Sequence, residues 1–273
     1  REKVVCIDAP GQLNRSGTRQ LSLCLPRIVG RLTSSMNDSN LDIKGAAESS
    51  MNQILETVRN PEIASSRDTL IKSLSNPYSY NDRALDLLAQ TRFEHSIDGP
   101  ALTLVMQVIF YALKFGRSDQ SKIRAASIVA TILNLIPDDD DFLVHANSLI
   151  DALSISLVDI ESEVRAVTAK AFHSISLRFA SLRPVILKHL QITMNSLTVT
   201  SIQRAGCAQA FSEILSTLSI EDRTLLVNQC LELTCDSREA IRESYLSVMI
   251  YLPMILGEEF RPLIDVTISS VIE

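Results

Sequence analysis

Tryptophan is absent from the 273-residue sequence, tyrosine and phenylalanine together supply only 5% of it, and glycine occurs eight times. A core without large rings has to be assembled from Leu, Ile, Val and Ala, which suits many thin helical layers; globular α/β enzymes use more glycine than this. No apolar run is long enough for a transmembrane helix, so no membrane partner is expected. Neither sign of charge dominates. The 26 Lys and Arg against 32 Asp and Glu give a net charge of −6 and a pI near 5.3, which excludes a general polyanion binder while leaving room for a local basic face. Cysteine is scarce and odd in number. Cys6, Cys24, Cys207, Cys230 and Cys235 sit mostly inside apolar helical patterns, so reduced cytosolic thiols are expected rather than a disulfide framework. The chain opens on Arg1 with neither a Met nor a signal-peptide pattern, and 263–273 (LIDVTISSVIE) stops inside an apolar helical pattern. The expectation is a soluble fragment of a much larger chain.

What the sequence does contain is a period. One basic residue recurs early in successive helical patterns, at Lys44, Arg83, Arg124, Arg165, Arg204 and Arg242, with intervals of 39, 41, 41, 39 and 38 residues. This is the spacing of HEAT and armadillo units. The clearest instances are SKIRAASIVATIL (121–133) and SEVRAVTAKAFHSI (162–175), each a polar turn, a Val or Ile, the Arg, and then small residues; Asp38, Asp119, Asp159 and Asp236 fall in the turns before. Val164, Val167, Ala171, Ile175 and Phe179 follow three- and four-residue steps onto one helix face, as do Ile123, Ala126, Ala130, Leu133 and Ile136 one repeat earlier. Ala125, Ala126, Ala166, Ala205 and Gly206 allow close helix approach. Partner helices are expected near 19–34, 62–75, 101–115, 142–157, 183–196 and 221–235. The fold class is therefore all-α, an α-α superhelix of HEAT/armadillo type with about six helical hairpins over 19–273, preceded by an irregular flank over 1–18.

Candidate chemistry does not assemble. GQLNRSGT (11–18) has the look of a phosphate loop, but it lacks the Lys after its second Gly that would reach the phosphates. The run Asp138–Asp141 offers hard oxygen ligands, yet it has no alternating spacing and falls where a helix should start, favouring capping and dipole complementation. Cys207, Cys230 and Cys235 lack the short gaps of a structural zinc site and read as buried free thiols. His95, His145, His173 and His189 fall in different repeats without a nucleophile at motif spacing; His173 reads as packed or surface-lying. The arginine column fits an Asp-to-Arg tie between repeats better than a ladder for acidic partners. No catalytic, cofactor-binding or metal residue is assigned, no cofactor is expected, and the chain reads as non-enzymatic.

Six segments carry a family resemblance: CLPRIV (24–29), VRNPEI (58–63), TRFEHSIDGPALTLVMQVI (91–109), SEVRAVTAKAF (162–172), QRAGCAQAFSEIL (203–215) and IRESYLSVMIYLPMILGEEF (241–260). Together and in this order they closely resemble the elongation-factor-3-like HEAT segment of the general control non-derepressible 1 family, across about residues 19–273. HSIDGP and YLPMILGEEF are the most specific; residues 1–18 and the DDDD run depart from the family pattern. The resemblance implies a cytoplasmic, ribosome- or polysome-associated scaffold that promotes activation of the initiation factor 2 alpha kinase in amino-acid starvation. It further implies that this segment serves an ABC-type ATPase regulator and the ribosome as partners, while the kinase is contacted through a segment outside this chain. It assigns no individual partner-binding residues. With the acidic pI, strong direct nucleic-acid binding is not expected. Two other classes share the architecture. An importin-type transport adaptor would use an acidic, Trp-rich inner surface, of which only the acidity is present; elongation factor 3 itself would need Walker motifs, and none occurs here.

Overall fold

The computed structural model describes residues 18–264, 267 and 268, with side-chain surroundings from residue 24 onward. The expected flank 1–18 therefore lies outside the described residues apart from Thr18, which opens the first helix. Among the described residues there are α-helices and short 3-10 turns and no strand. The chain forms two compact units, Arg1–Ala152 and Leu153–Glu273.

In the first unit, α1 (Thr18–Met36) pairs with α2 (Leu41–Leu55). A broken helix, α3 (Pro61–Ser65) and α4 (Arg67–Ser75), pairs with α5 (Pro77–Gln90), and α6 (Gly99–Phe115) pairs with α7 (Asp119–Ile132). Polar side chains start these helices by accepting otherwise unpaired amides: Asn40 from Asp42 and Ile43, Asn60 from Ile63, Asn76 from Ser79, and Ser118 from Ser121. α6 packs against α1, α4, α5 and α7, and accordingly its sequence is apolar nearly all round, from Ala101 through Leu113. α8 (Asp139–Leu157) follows, and the division between the units falls within it.

The second unit is more regular. α9 (Ser162–Arg178), α11 (Ser201–Leu215) and α13 (Glu239–Leu256) lie side by side, with α10 (Arg183–Met194) packed on α11 and α12 (Ile220–Thr234) on α13. Thr200 and Gln203 form a reciprocal capping box at α11, and Ser219 caps α12. Close approach has a specific cost here: a Cβ on Gly206 would lie 2.0 Å from the Leu157 carbonyl oxygen, so only glycine fits where α11 crosses the end of α8. α13 ends at Gly257, whose φ of +54° places it in the left-handed region that side chains resist.

All six basic residues of the repeat lie on α2, α5, α7, α9, α11 and α13, one per hairpin, as the spacing predicts. Val164, Ala171 and Ile175 are buried on one face of α9, as is Phe179 just past its end, whereas Val167 is half-buried at its edge; Ile123 and Ala130 are likewise half-buried on α7. The break at Ser66 between α3 and α4 was not expected from the period. There the Arg67 guanidinium reaches the carbonyl and side-chain oxygens of Asn52, both at 3.2 Å, and fixes the displaced second half against α2.

Candidate functional site

The structure disperses the residues that carried candidate chemistry. GQLNRSGT lies outside the described residues except for Thr18. Asp139, Asp140 and Asp141 form the first turn of α8, and Asp138 accepts the Asp140 amide at 3.0 Å, the capping role expected of the run. Asp141 does more than cap: it also accepts the Gly99 amide at the start of α6. Burial and the neighbouring Asp138 and Asp98 push its carboxyl above the ordinary value. Cys207 and Cys230 are buried thiols pushed up to about 12 by desolvation, but Cys235 is exposed at the end of α12, contrary to expectation, because it is the residue that closes the helix. Among the described residues no group of three or more His, Cys, Asp or Glu side chains is placed to hold a metal.

The four histidines serve four separate joints. His145 is buried on α8, with Nε2 3.2 Å from Thr103 Oγ1, and desolvation pushes it down to about 4. His189 meets Ser154 at 3.0 Å. His173 on α9 reaches the Glu213 carbonyl and Ser216 Oγ of α11, each at 3.0 Å. His95 is exposed and pairs with Glu62 at 2.7 Å, which raises the imidazole and lowers the carboxyl.

In the first unit the most specific sequence segments converge. Asp98 of HSIDGP accepts the backbone amides of Arg59 and Asn60, at 3.3 and 3.1 Å, in VRNPEI. Asn60 caps α3 through its oxygen, 2.8 Å from the Ile63 amide, and donates through its nitrogen to the carbonyls of His95 and Ser96 at 3.3 and 3.2 Å. Glu62 holds His95 and the Glu94 amide, while the Ile97 amide donates to the Leu135 carbonyl at 2.8 Å with its side chain fully buried. The two segments, joined by bonds between residues 32 to 39 positions apart, thus satisfy each other's backbone groups where a non-helical stretch would otherwise bury unpaired amides. The family-bearing motif is a joint.

In the second unit the joints are arginines on carbonyls. Arg165 Nη1 donates to the carbonyls of Asp159 and Ile160 at 2.8 and 2.7 Å, Arg242 Nη1 to those of Asp236 and Ser237 at 2.8 and 3.0 Å, and Arg204 Nη1 to Val199 at 2.6 Å. Each closes the turn just before its own helix. In the second unit the column is thus a tie within a turn, onto backbone oxygen; Arg204 also meets Glu243 at 2.6 Å, and in the first unit Arg124 meets Asp86 at 2.8 Å, ion pairs that reach another repeat. Asp159 and Asp236 instead accept the amides two residues on, at 3.0 and 2.8 Å, and Arg238 drives the Asp236 carboxyl down to about 2.

Sequence reasoning missed Arg223, which stands outside the column on α12. It is 6% exposed and donates to the carbonyls of Leu215, Ser216 and Leu218 at 3.1, 3.1 and 3.3 Å, and to Glu259 of the YLPMILGEEF segment at 2.9 Å. Nothing in the local sequence distinguishes it from a solvated Arg.

Repeated helical hairpins, motifs that serve as joints between them, and a recurring turn arginine define a HEAT-type α-solenoid. The elongation factor 3/GNC1 HEAT repeat matches residues 80–181. Over 93% of its length the chain is 31% identical to the eIF-2-alpha kinase activator GCN1 of Saccharomyces cerevisiae, covering 9% of that protein. It is 29% identical over its whole length to the stalled ribosome sensor GCN1 of Homo sapiens, covering 10%. Elongation factor 3 of Candida albicans is 26% identical over 64% of this chain and 16% of its own. The chain belongs to the elongation factor 3/GNC1 HEAT-repeat family, and spans about a tenth of the length of the GCN1 relatives it matches.

Proposed function

We propose that this chain is the elongation-factor-3-like scaffold segment of a ribosome-associated translational activator, one that promotes activation of the initiation factor 2 alpha kinase. The observation that carries this reading is the similarity along the whole chain to proteins named as eIF-2-alpha kinase activator and stalled ribosome sensor. The motifs HSIDGP and VRNPEI sit at a helix joint, which agrees with a scaffold whose family signature maintains geometry. Partners on this reading are the ribosome and an ABC-type ATPase, reached through an extended protein surface. The chain itself is non-enzymatic, acts in the cytoplasm on ribosomes or polysomes, and leaves kinase contact to a segment outside it.

Paired pull-downs test the assignment. The immobilised 273-residue chain is expected to retain the ABC-type ATPase and ribosomes and to leave the kinase in the flow-through. Retention of the kinase without the ATPase would reverse the division of labour, since a scaffold couples only what it holds at once.

A further inference from the structure

In a chain with five Tyr, eight Phe and no Trp, four rings gather at one place in the first unit: Tyr78 at the start of α5 and Phe110, Tyr111 and Phe115 on the last turns of α6. The three rings of α6 line a groove of about 250 Å³ where α1, α4, α5 and α6 meet, and Tyr78 follows Pro77 of that lining. Its floor is fixed: Leu74 and Val108 are buried, and Asn81 donates to the Val108 carbonyl at 3.0 Å and to Ser73 at 3.4 Å, leaving an apolar surface with satisfied polar atoms. Its rim is open. Phe115 is 65% exposed and Tyr78 63%, unusual for large rings in this molecule.

One cation, Lys114, lines the groove, and a second, Arg117, stands beside it on Tyr78. Arg117 lies on the Tyr78 ring, 3.2 Å from its centroid, and Lys114 lies over Phe110 at 6.0 Å. The arginines that close the joints already meet carbonyls or carboxylates; among the described residues Lys114 and Arg117 have no carboxylate partner. Gly116 sets this arrangement. Its amide donates to the Ala112 carbonyl at 2.8 Å, and a Cβ there would lie 2.3 Å from that oxygen, so the chain turns immediately after Phe115.

We infer that this groove is a docking site for an acidic protein segment carrying a large apolar anchor. An apolar cavity of roughly 150 Å³ holds a benzene ring, so the groove has room for one aromatic or branched aliphatic side chain. Carboxylates flanking that anchor complement the two unpaired cations, and the ring-stacked guanidinium is held in place before the partner arrives. A single-stranded RNA would need a row of cations tracking its backbone, and the groove of this acidic chain is lined by Lys114 with Arg117 beside it. The site stands whether or not the ribosome assignment does.

The test is fluorescence anisotropy of the whole chain with a labelled short peptide in which a Phe-Leu pair is flanked by Asp and Glu. Binding is expected, and Phe115→Ala, Lys114→Glu and Arg117→Glu are each expected to weaken it about tenfold or more, with circular dichroism unchanged because all three side chains stand at the rim. The same peptide with Gln for its acids, or Ser for its Phe-Leu pair, is expected to bind more weakly by a similar factor. Absence of binding, binding indifferent to the three variants, or displacement of the peptide by oligouridine would each overturn the inference.

Discussion

Around residues 58–63 and 95–100 the first unit holds its irregular backbone with carboxylates and amides, whereas the second unit lays guanidinium groups on the carbonyls that end one helix and begin a turn. The difference follows from what each place leaves unpaired. A non-helical stretch such as 91–98 exposes both amides and carbonyls, and Asn60, with a donor and an acceptor on one short side chain, can serve both. A tight interhelical turn presents mostly carbonyls, and a planar guanidinium can reach two at once. Regular repeats thus place an arginine at the same position, and the irregular repeat places motifs that look functional in sequence.

Several substitutions break this comparison at different strengths. Val164→Asp puts an unpaired charge on the fully buried face of α9, and is expected to remove about 3–5 kcal/mol, enough to unfold a marginal unit. A melting temperature within a degree or two of the parent would show that face to be misassigned. Arg223→Ala strips the donor from three carbonyls and is expected to cost about 3 kcal/mol in urea denaturation. Glu259→Gln, which removes only the exposed partner of that pair, is expected to cost less than about 1 kcal/mol. Equal losses would assign the joint to the ion pair rather than to the carbonyls.

The first unit carries a pH dependence at the buried His145. His145 is neutral when folded, its imidazole held near 4 by burial against an unfolded value of 6.5. Its favourable contribution is complete above about pH 6.5 and falls away as the pH drops toward 4, a loss of about 3 kcal/mol over that window. His145→Gln is expected to flatten this dependence in denaturation curves collected across the window; an unchanged slope would place the titration elsewhere. The smallest effect is at the exposed pair Arg124 and Asp86, where Arg124→Ala is expected to shift stability by less than about 1 kcal/mol. A larger loss would make the first unit's column residue a joint like those of the second.

The sequence made the helices and their order legible because the period repeats: Lys44 through Arg242 fall on the six helices they predicted, and Val164 faces the core. What escaped was every feature outside the period. The break at Ser66, the knot between Asn60 and Asp98, and the carbonyl cluster at Arg223 depend on residues 5 to 39 positions apart meeting in space, and no local pattern records them. The column reads in sequence as an Asp-to-Arg tie between repeats; at Arg165 and Arg242 the guanidinium instead closes its own turn on backbone carbonyls, acceptors whose availability depends on where the preceding helix ends. The exposed rings at Tyr78 and Phe115 were hidden for the opposite reason: aromatic residues in a helical pattern read as core.

The most direct measurement of the functional account is co-sedimentation of the isolated chain with ribosomes through a sucrose cushion, compared with Val164→Asp as an unfolded control. The account predicts that the folded chain pellets with ribosomes and the control does not. A folded chain that stays in the supernatant at low salt, with or without the ABC-type ATPase, would contradict it.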